Sequence, residues 1–191
     1  YGYGKHPGIV TQRELEERLA SGRFSGKNVV MIQCVGSRDE KHGYCSRICC
    51  GQAVKNALKV KELSPKTNVY VLYKDVRSYG FREDYYREAL TKGVMFINYD
   101  DEQKPELTKD TDRLKMAFWE PVLKEEIEVE PDILVLSAAT IPNPDNKHVA
   151  EMLKVPLTKD GFFLEAHMKL RPVDFATDGV FLCGMAHSPK Y

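Results

Sequence analysis

The chain has 191 residues, 42% hydrophobic and 29% charged, which is ordinary for a globular protein with one substantial core or two small domains. Its 28 basic and 28 acidic residues cancel, which argues against a broad surface for nucleic acid or anionic membranes. No apolar run approaches the roughly 20 residues of a membrane-spanning helix, so no transmembrane segment is expected.

The chain begins with an alternation of helices and strands. Residues 1–10 are glycine-rich and are predicted to be an extended lead-in. The next segment has helical character, with Thr11 as the N-cap and Glu14 completing a capping box. An apolar run typical of a buried strand follows, and then a periodic helix that Pro65 closes. These three segments are residues 10–22, 27–36 and 51–65.

Two further strands flank another helix, and the resulting βαβαβ order predicts an α/β fold with a parallel sheet. Scattered alternation with polar breaks then indicates an antiparallel hairpin or meander. A buried strand, a short helix and a final apolar strand that ends in a glycine turn complete the prediction. In chain order these segments are residues 68–76, 82–93, 94–100, 104–131, 132–139, 143–157 and 178–190.

Four of the five cysteines are clustered: Cys34 ends a predicted strand, and Cys45, Cys49 and Cys50 lie where the next helix should begin. Ligands gather at that edge of parallel sheets, and a helix N-terminus lowers thiol pKa values. Four thiolates there suit a [4Fe–4S] cluster. The spacing matches neither ferredoxins nor zinc ribbons, so zinc and reactive or inert thiols stay open as alternatives.

Two further side chains are weaker candidates for ligands. Cys183 lies in an apolar segment and is expected to be a small buried hydrophobe. His42 is near the cysteines in sequence and could replace one of them, but it ranks below four available thiols.

The loop after the first long strand lacks a dinucleotide-binding motif. The segment QCVGSRDE has Gly36 but no GxGxxG, so the backbone cradle for a pyrophosphate is missing. A Rossmann-like frame whose dinucleotide loop is replaced by cysteines fits better than a working nicotinamide site. At the other end, GVFLCGMAH could be a flavin-contacting turn, although a core strand ending in a turn is the simpler interpretation.

Several motifs together resemble a known family. The segments IQCVGSRDE, CSRICC, DVRSYG, EAHMKLRPVD and GVFLCGMAHSPK are similar to the flavoprotein A subunit of heterodisulfide reductase, from about Tyr1 to Lys190. The resemblance implies a thioredoxin-reductase-like parallel sheet with an antiparallel hairpin or meander, plus part of an FAD domain. It implies three parts: residues 1–22 are a lead-in and helix on the flavin side, and residues 23–135 are a Rossmann-like domain that carries the cysteines. Residues 136–191 then return into the FAD domain.

The resemblance also implies the cofactors and their residues. Lys55 would be a cation near the reactive nitrogen of the flavin, and Gly184, Met185 and Ala186 would contact FAD. The [4Fe–4S] cluster would be held by Cys34, Cys45, Cys49 and Cys50. The chain starts with Tyr1 and lacks the GxGxxG of the family, so we expect a piece of a longer protein with an incomplete FAD site.

The function implied by the resemblance is electron transfer between FAD and the cluster within a cytoplasmic oxidoreductase. The partners would be other heterodisulfide-reductase-type subunits and hydrogenase or ferredoxin-type electron carriers. This piece by itself is expected to be inactive. Two alternatives remain: a non-catalytic docking or zinc-binding scaffold, and a pyridine-nucleotide-disulfide oxidoreductase domain.

Overall fold

The computed structural model describes residues 1–110 and 113–191, which form two compact units. One unit contains the main sheet and is called the sheet unit. The other is mostly turns and short bridges and is called the loop unit. The sheet unit comprises residues 1–35 and 49–138, and the loop unit comprises residues 36–48 and 139–191.

Eight strands and four α-helices occur in the described residues. The strands are β1 Ile9–Thr11, β2 Asn28–Val35, β3 Asn68–Tyr73, β4 Val94–Asn98, β5 Glu106–Asp110, β6 Arg113–Glu120, β7 Glu125–Val129 and β8 Ile133–Ala138. The α-helices are α1 Gln12–Ala20, α2 Cys49–Leu63, α3 Arg82–Thr91 and α4 Asn146–Leu153, and a short 3₁₀ helix spans Gly184–Ala186.

The sheet unit confirms the predicted fold class. Five strands pair in parallel in the order β1-β8-β2-β3-β4, and β5-β6-β7 form a separate antiparallel sheet. The predicted meander is therefore present, although residues 111 and 112, which fall within it, lie outside the described residues. The predicted assignment of the chain to flavin-binding and Rossmann-like domains stays a prediction.

The alternation of side chains along β2 explains the layers. Val29 and Met31 belong to a buried cluster with residues of α1, α2 and α3, whereas Val30 and Ile32 belong to another with residues of β6. Successive residues of a strand point to opposite faces, so both faces of β2 are covered. This double burial explains why the run from 28 to 35 is almost entirely apolar.

The start of α1 is fixed by the predicted capping box. The Thr11 hydroxyl accepts a hydrogen bond from the Glu14 amide at 3.2 Å, and the Thr11 amide donates to Glu14 Oε2 at 2.6 Å. These hydrogen bonds satisfy groups that the helix itself leaves unpaired.

The loop unit has a small core of Ala150, Val155, Phe175 and Leu182. Within it α4 ends at Lys154, whose φ of 54° is left-handed. Among the described residues, no helix has both the length and the apolar character needed to cross a membrane.

Three sequence predictions are wrong in detail. Residues 178–190 form no strand: Phe181 makes one isolated bridge to Asp174 and is 71% exposed. The apolar residues of this segment therefore do not share one buried surface. Cys183 is exposed rather than a buried hydrophobe. The predicted lead-in contains β1, which pairs in parallel with β8.

Replacing Thr11 with alanine should lower the free energy of unfolding by about 1 kcal/mol, because the amide of Glu14 loses its side-chain acceptor. Urea denaturation followed by circular dichroism measures this change. Thr11→Ser is the matched control, since serine keeps the hydroxyl. Equal midpoints for Thr11→Ala and Thr11→Ser would show that the capping box does not stabilise α1.

Candidate functional site

The candidate site lies at the carboxyl end of the parallel sheet. β2 ends just after Cys34, whose φ of 59° is left-handed and uncommon for a residue with a side chain. The pairing of β2 with β8 also shifts register between Ile32 and Val35. The strand is therefore distorted where it presents Cys34, and backbone strain of this kind is concentrated at functional sites.

Two more cysteines open α2. Cys49 and Cys50 occupy its first turn and are only 4% and 5% exposed. The first turn contains no acidic residue, so the positive end of the helix dipole is not neutralised there. The predicted position of these thiols at a helix start is confirmed.

The environment of Cys50 favours its thiolate. A hydrogen bond from Cys49 and a backbone hydrogen bond from Arg77 lower the pKa of the Cys50 thiol to about 7, against the opposing effect of burial. In its protonated form, the Cys50 thiol donates a hydrogen bond to the Asp75 carbonyl oxygen at 3.8 Å. The lowered pKa of Cys50 favours the thiolate, the form that binds metals.

The loop after β3 forms part of this environment. The Arg77 guanidinium holds the Asp75 carboxylate, with Nε 3.2 Å from Oδ1 and Nη2 3.3 Å from Oδ2. At the base of the loop, Asn98 donates to the Lys74 carbonyl at 2.8 Å, and Lys74 pairs with Asp101 at 2.6 Å. These contacts fix the backbone that faces Cys50. Sequence reasoning used DVRSYG only as a family motif and missed this role.

Cys45 belongs to the loop unit, whereas Cys34, Cys49 and Cys50 belong to the sheet unit. Its sulfur accepts a hydrogen bond from the Arg47 amide at 3.2 Å. The neighbouring backbone is held inside the loop unit, because the Thr140 amide donates to the Ser46 hydroxyl at 2.9 Å.

The structure brings together only part of the predicted ligand set. Cys49 and Cys50 are hydrogen-bonded, and all five cysteines lie in the described residues without a disulfide. Within residues 1–110 and 113–191, no three His, Cys, Asp or Glu side chains form a group that could hold a metal ion. The ligand set therefore stays a prediction.

Lys55, the predicted flavin-side cation, lies on α2 with its side chain 55% exposed. Its ammonium is 2.6 Å from Glu16 of α1, and Gln52 donates to the same carboxylate at 3.3 Å. The hydrogen bond with Lys55 is the main reason that the pKa of Glu16 is lowered. Glu16 thus orients Lys55, which sequence reasoning did not foresee.

The predicted FAD-contacting residues form an exposed turn in the loop unit. Gly184 has a φ of 61°, and apart from Gly184 and its two chain neighbours no described residue has an atom within 4 Å of where a Cβ would be. The Ala186 carbonyl accepts from the Phe163 amide at 2.9 Å, which anchors the turn. Met185 is exposed, so the turn offers backbone and a thioether to a ligand.

A hydrogen-bonded chain of side chains follows that turn. His187 Nε2 is 2.6 Å from the Glu165 carboxylate, and His187 Nδ1 is 2.8 Å from the Lys190 ammonium. A hydrogen bond from its own backbone amide, followed by the contact with His187, lowers the pKa of Glu165. These contacts connect the EAHMKLRPVD and GMAHSPK motifs within one unit.

The chain is similar over its whole length to part of several curated proteins. It is 42% identical to the iron-sulfur A subunit of CoB–CoM heterodisulfide reductase from Methanocaldococcus jannaschii over 209 residues, spanning 31% of that protein. It is 38% identical to the A subunit of the H(2):CoB-CoM heterodisulfide,ferredoxin reductase of Methanothermobacter thermautotrophicus, again spanning 31%. With the A subunit of the ferredoxin:CoB-CoM heterodisulfide reductase of Methanosarcina acetivorans, 42% identity covers 90% of the chain and 22% of that protein.

These similarities confirm the resemblance, and the chain spans less than a third of the length of these relatives. Among solved structures, the thioredoxin reductase of T. acidophilum aligns with 100% of this chain and over 52% of the length of the reductase, with a TM-score of 0.58 and 18% identity. The thioredoxin reductase of Lactococcus lactis has a TM-score of 0.59 and 14% identity, and the match covers 99% of this chain and 52% of the length of that reductase. No protein-family model matches the chain.

In the metal-free chain the Cys50 thiolate should titrate with a midpoint near pH 7. Cys49→Ala should move that midpoint upward, because it removes the hydrogen bond that contributes most to the lowered pKa. The difference in thiolate ultraviolet absorbance between the chain and its Cys50→Ser variant, measured across pH, reports this titration. Cys183→Ser is the control, and an unchanged midpoint in Cys49→Ala would contradict the assignment.

Proposed function

Since the chain is homologous over its whole length to a segment of the heterodisulfide reductase A subunit, we propose that it is a redox segment that binds a [4Fe–4S] cluster and contacts FAD. The observation that carries the proposal is the buried Cys49–Cys50 pair at the start of α2, with the thiol pKa of Cys50 lowered to about 7. We assign the cluster to Cys34, Cys45, Cys49 and Cys50.

The donor set suits an iron–sulfur group rather than a hard cation. Three of the four proposed ligands are thiols buried in one unit, at the end of β2 and the start of α2. Cys45 enters the proposal from the sequence alone. Cys49 follows it by four positions, so the chain limits their Cα distance to roughly 14 Å. Metal binding to thiolates of this kind is coupled to local folding.

The residues of the chain would prepare the site for such a group. Because the pKa of Cys50 is lowered, less proton release is needed on binding. Arg77 donates a backbone hydrogen bond to Cys50, and its positive charge lowers the pKa against a larger opposing effect of the Asp75 carboxylate. When bound, the cluster supplies one-electron transfer, and FAD exchanges one or two electrons.

The FAD part of the proposal uses Lys55 and the turn at Gly184–Ala186. Lys55 is held by Glu16, and a cation beside a flavin favours its anionic reduced form. The left-handed glycine lets the backbone come close to a ligand without a side chain in the way. The thioredoxin-reductase-like fold agrees with a flavoprotein.

The partners are proposed from the relatives. These relatives are named for a CoB–CoM heterodisulfide, and some of the names also contain ferredoxin or H(2). We propose that this segment helps to pass electrons among other heterodisulfide-reductase-type subunits, a hydrogenase and ferredoxin-type carriers. The dependence on reduced thiols fits a cytoplasmic site.

Anaerobic reconstitution with iron and sulfide should give a brown chain that absorbs broadly around 400 nm and contains acid-labile sulfide. Cys49→Ser should abolish this absorbance, because the cluster loses a ligand that begins α2. The exposed Cys183 is the matched position, and Cys183→Ser should bind iron like the unaltered chain. A colourless chain with stoichiometric zinc would favour the scaffold instead.

If Lys55 stabilises reduced flavin, Lys55→Met should shift the reduction potential of bound FAD to a more negative value. A spectroscopic redox titration of the FAD-loaded chain measures this shift. Lys59→Met is the control on the same helix, since Lys59 pairs with Glu62 at 2.7 Å. Equal potentials in both variants would contradict the flavin role of Lys55.

A further inference from the structure

Gln33 is a buried amide at the end of β2 that the structure leaves unsatisfied. The residue is 1% exposed, and neither its side-chain nitrogen nor its side-chain oxygen has a hydrogen-bond partner among the described residues. Its main-chain carbonyl accepts a hydrogen bond from the Tyr99 hydroxyl at 2.6 Å. A buried polar group without a partner is costly, and each one in a native protein needs an explanation.

Other buried polar side chains of the sheet unit are satisfied. Gln12 donates to the Ser137 hydroxyl at 3.1 Å, and Asn56 donates to the Gln12 amide oxygen at 2.9 Å. These three residues are buried like Gln33, at 1–3% exposed against 1% for Gln33. The unit therefore pairs its internal amides, and Gln33 is the exception within the described residues.

The position of Gln33 points toward the thiols. Val29 and Met31, four and two residues earlier, lie in the buried cluster that includes α2. Gln33 lies in β2, and alternation from Met31 assigns it to the same row, on the face that α2 covers; the register shift of β2 against β8 falls between Ile32 and Val35. Because α2 connects two parallel strands, it runs back along the sheet, and its first turn with Cys49 and Cys50 lies at the end where β2 finishes.

We propose that the Gln33 carboxamide is a binding residue of the cysteine site and donates a hydrogen bond from Nε2 to a sulfur of the iron–sulfur group. This inference rests on the proposed function, because it needs a group held by Cys34, Cys49 and Cys50. It explains why an amide occupies the last buried position before Cys34. Hydrogen bonds to the sulfurs are one of the ways in which a protein sets the potential of a cluster.

The inference gives Gln33 opposite effects in the two states of the chain. Without the group, the amide is buried and unsatisfied, so an apolar residue of similar size is better tolerated. With the group bound, the amide has its partner, and losing it weakens retention of the iron. A residue that only fills space would not produce this reversal.

The test compares Gln33→Leu with the control Ile32→Leu. The control changes the shape of the side chain at the neighbouring buried position but removes no polar group. Each variant is reconstituted anaerobically with iron and sulfide. Three quantities are measured: the reduction potential of the cluster, the rate of iron loss to a chelator, and the urea midpoint of the cluster-free chain.

For Gln33→Leu we expect a more negative potential, roughly 10-fold faster iron loss and a higher urea midpoint without the cluster. Ile32→Leu should not produce this combination of a more negative potential, faster iron loss and a higher urea midpoint. A wild-type potential and rate in Gln33→Leu would overturn the role of Gln33 while the cluster proposal stands. An unchanged or lower midpoint would also overturn it, since the amide would then be satisfied without the cluster. If the unaltered chain binds no cluster, the proposed function fails and this inference with it.

Discussion

Parallel pairing of β2 with β3 is the constraint on which the candidate site depends. A chain that leaves one parallel strand must return to the opposite end before it enters the next, and α2 makes that return. The end of β2 and the start of α2 therefore share one edge of the sheet. That geometry places Cys34 at the same edge as Cys49 and Cys50, although they lie 15 and 16 positions further along the sequence.

The sheet unit was largely predictable, because its periodicities are strong. Strands β2 and β8 are buried apolar runs, β3 and β4 are apolar runs with partly exposed positions, and α1 carries a recognisable capping box. β1 was missed because a three-residue strand among glycines has no periodicity to detect. The segment 178–190 misled because its apolar residues do not share a face: Leu182 is buried, whereas Phe181 and Cys183 are exposed.

The candidate site was predictable in its cysteines but not in its surroundings. The thiols stand out by their number and by their place between a strand and a helix. The roles of Arg77 and Asp75 depend on a loop returning beside Cys50 after 25 residues, a tertiary contact without a local pattern. Glu16 pairs with Lys55 for the same reason. In the sequence, the one sign of a special role for Gln33 is that it is a polar residue inside the apolar run NVVMIQCV.

The central claim is that one [4Fe–4S] cluster is held by four cysteines of this chain. Native mass spectrometry of the anaerobically reconstituted chain tests it most directly. One dominant species is expected, heavier than the metal-free chain by four iron and four sulfide atoms, less the protons that the thiols lose. Changing any one of the four cysteines to serine should remove that species. The mass of the metal-free chain, or of the chain with a single zinc ion, would contradict the account.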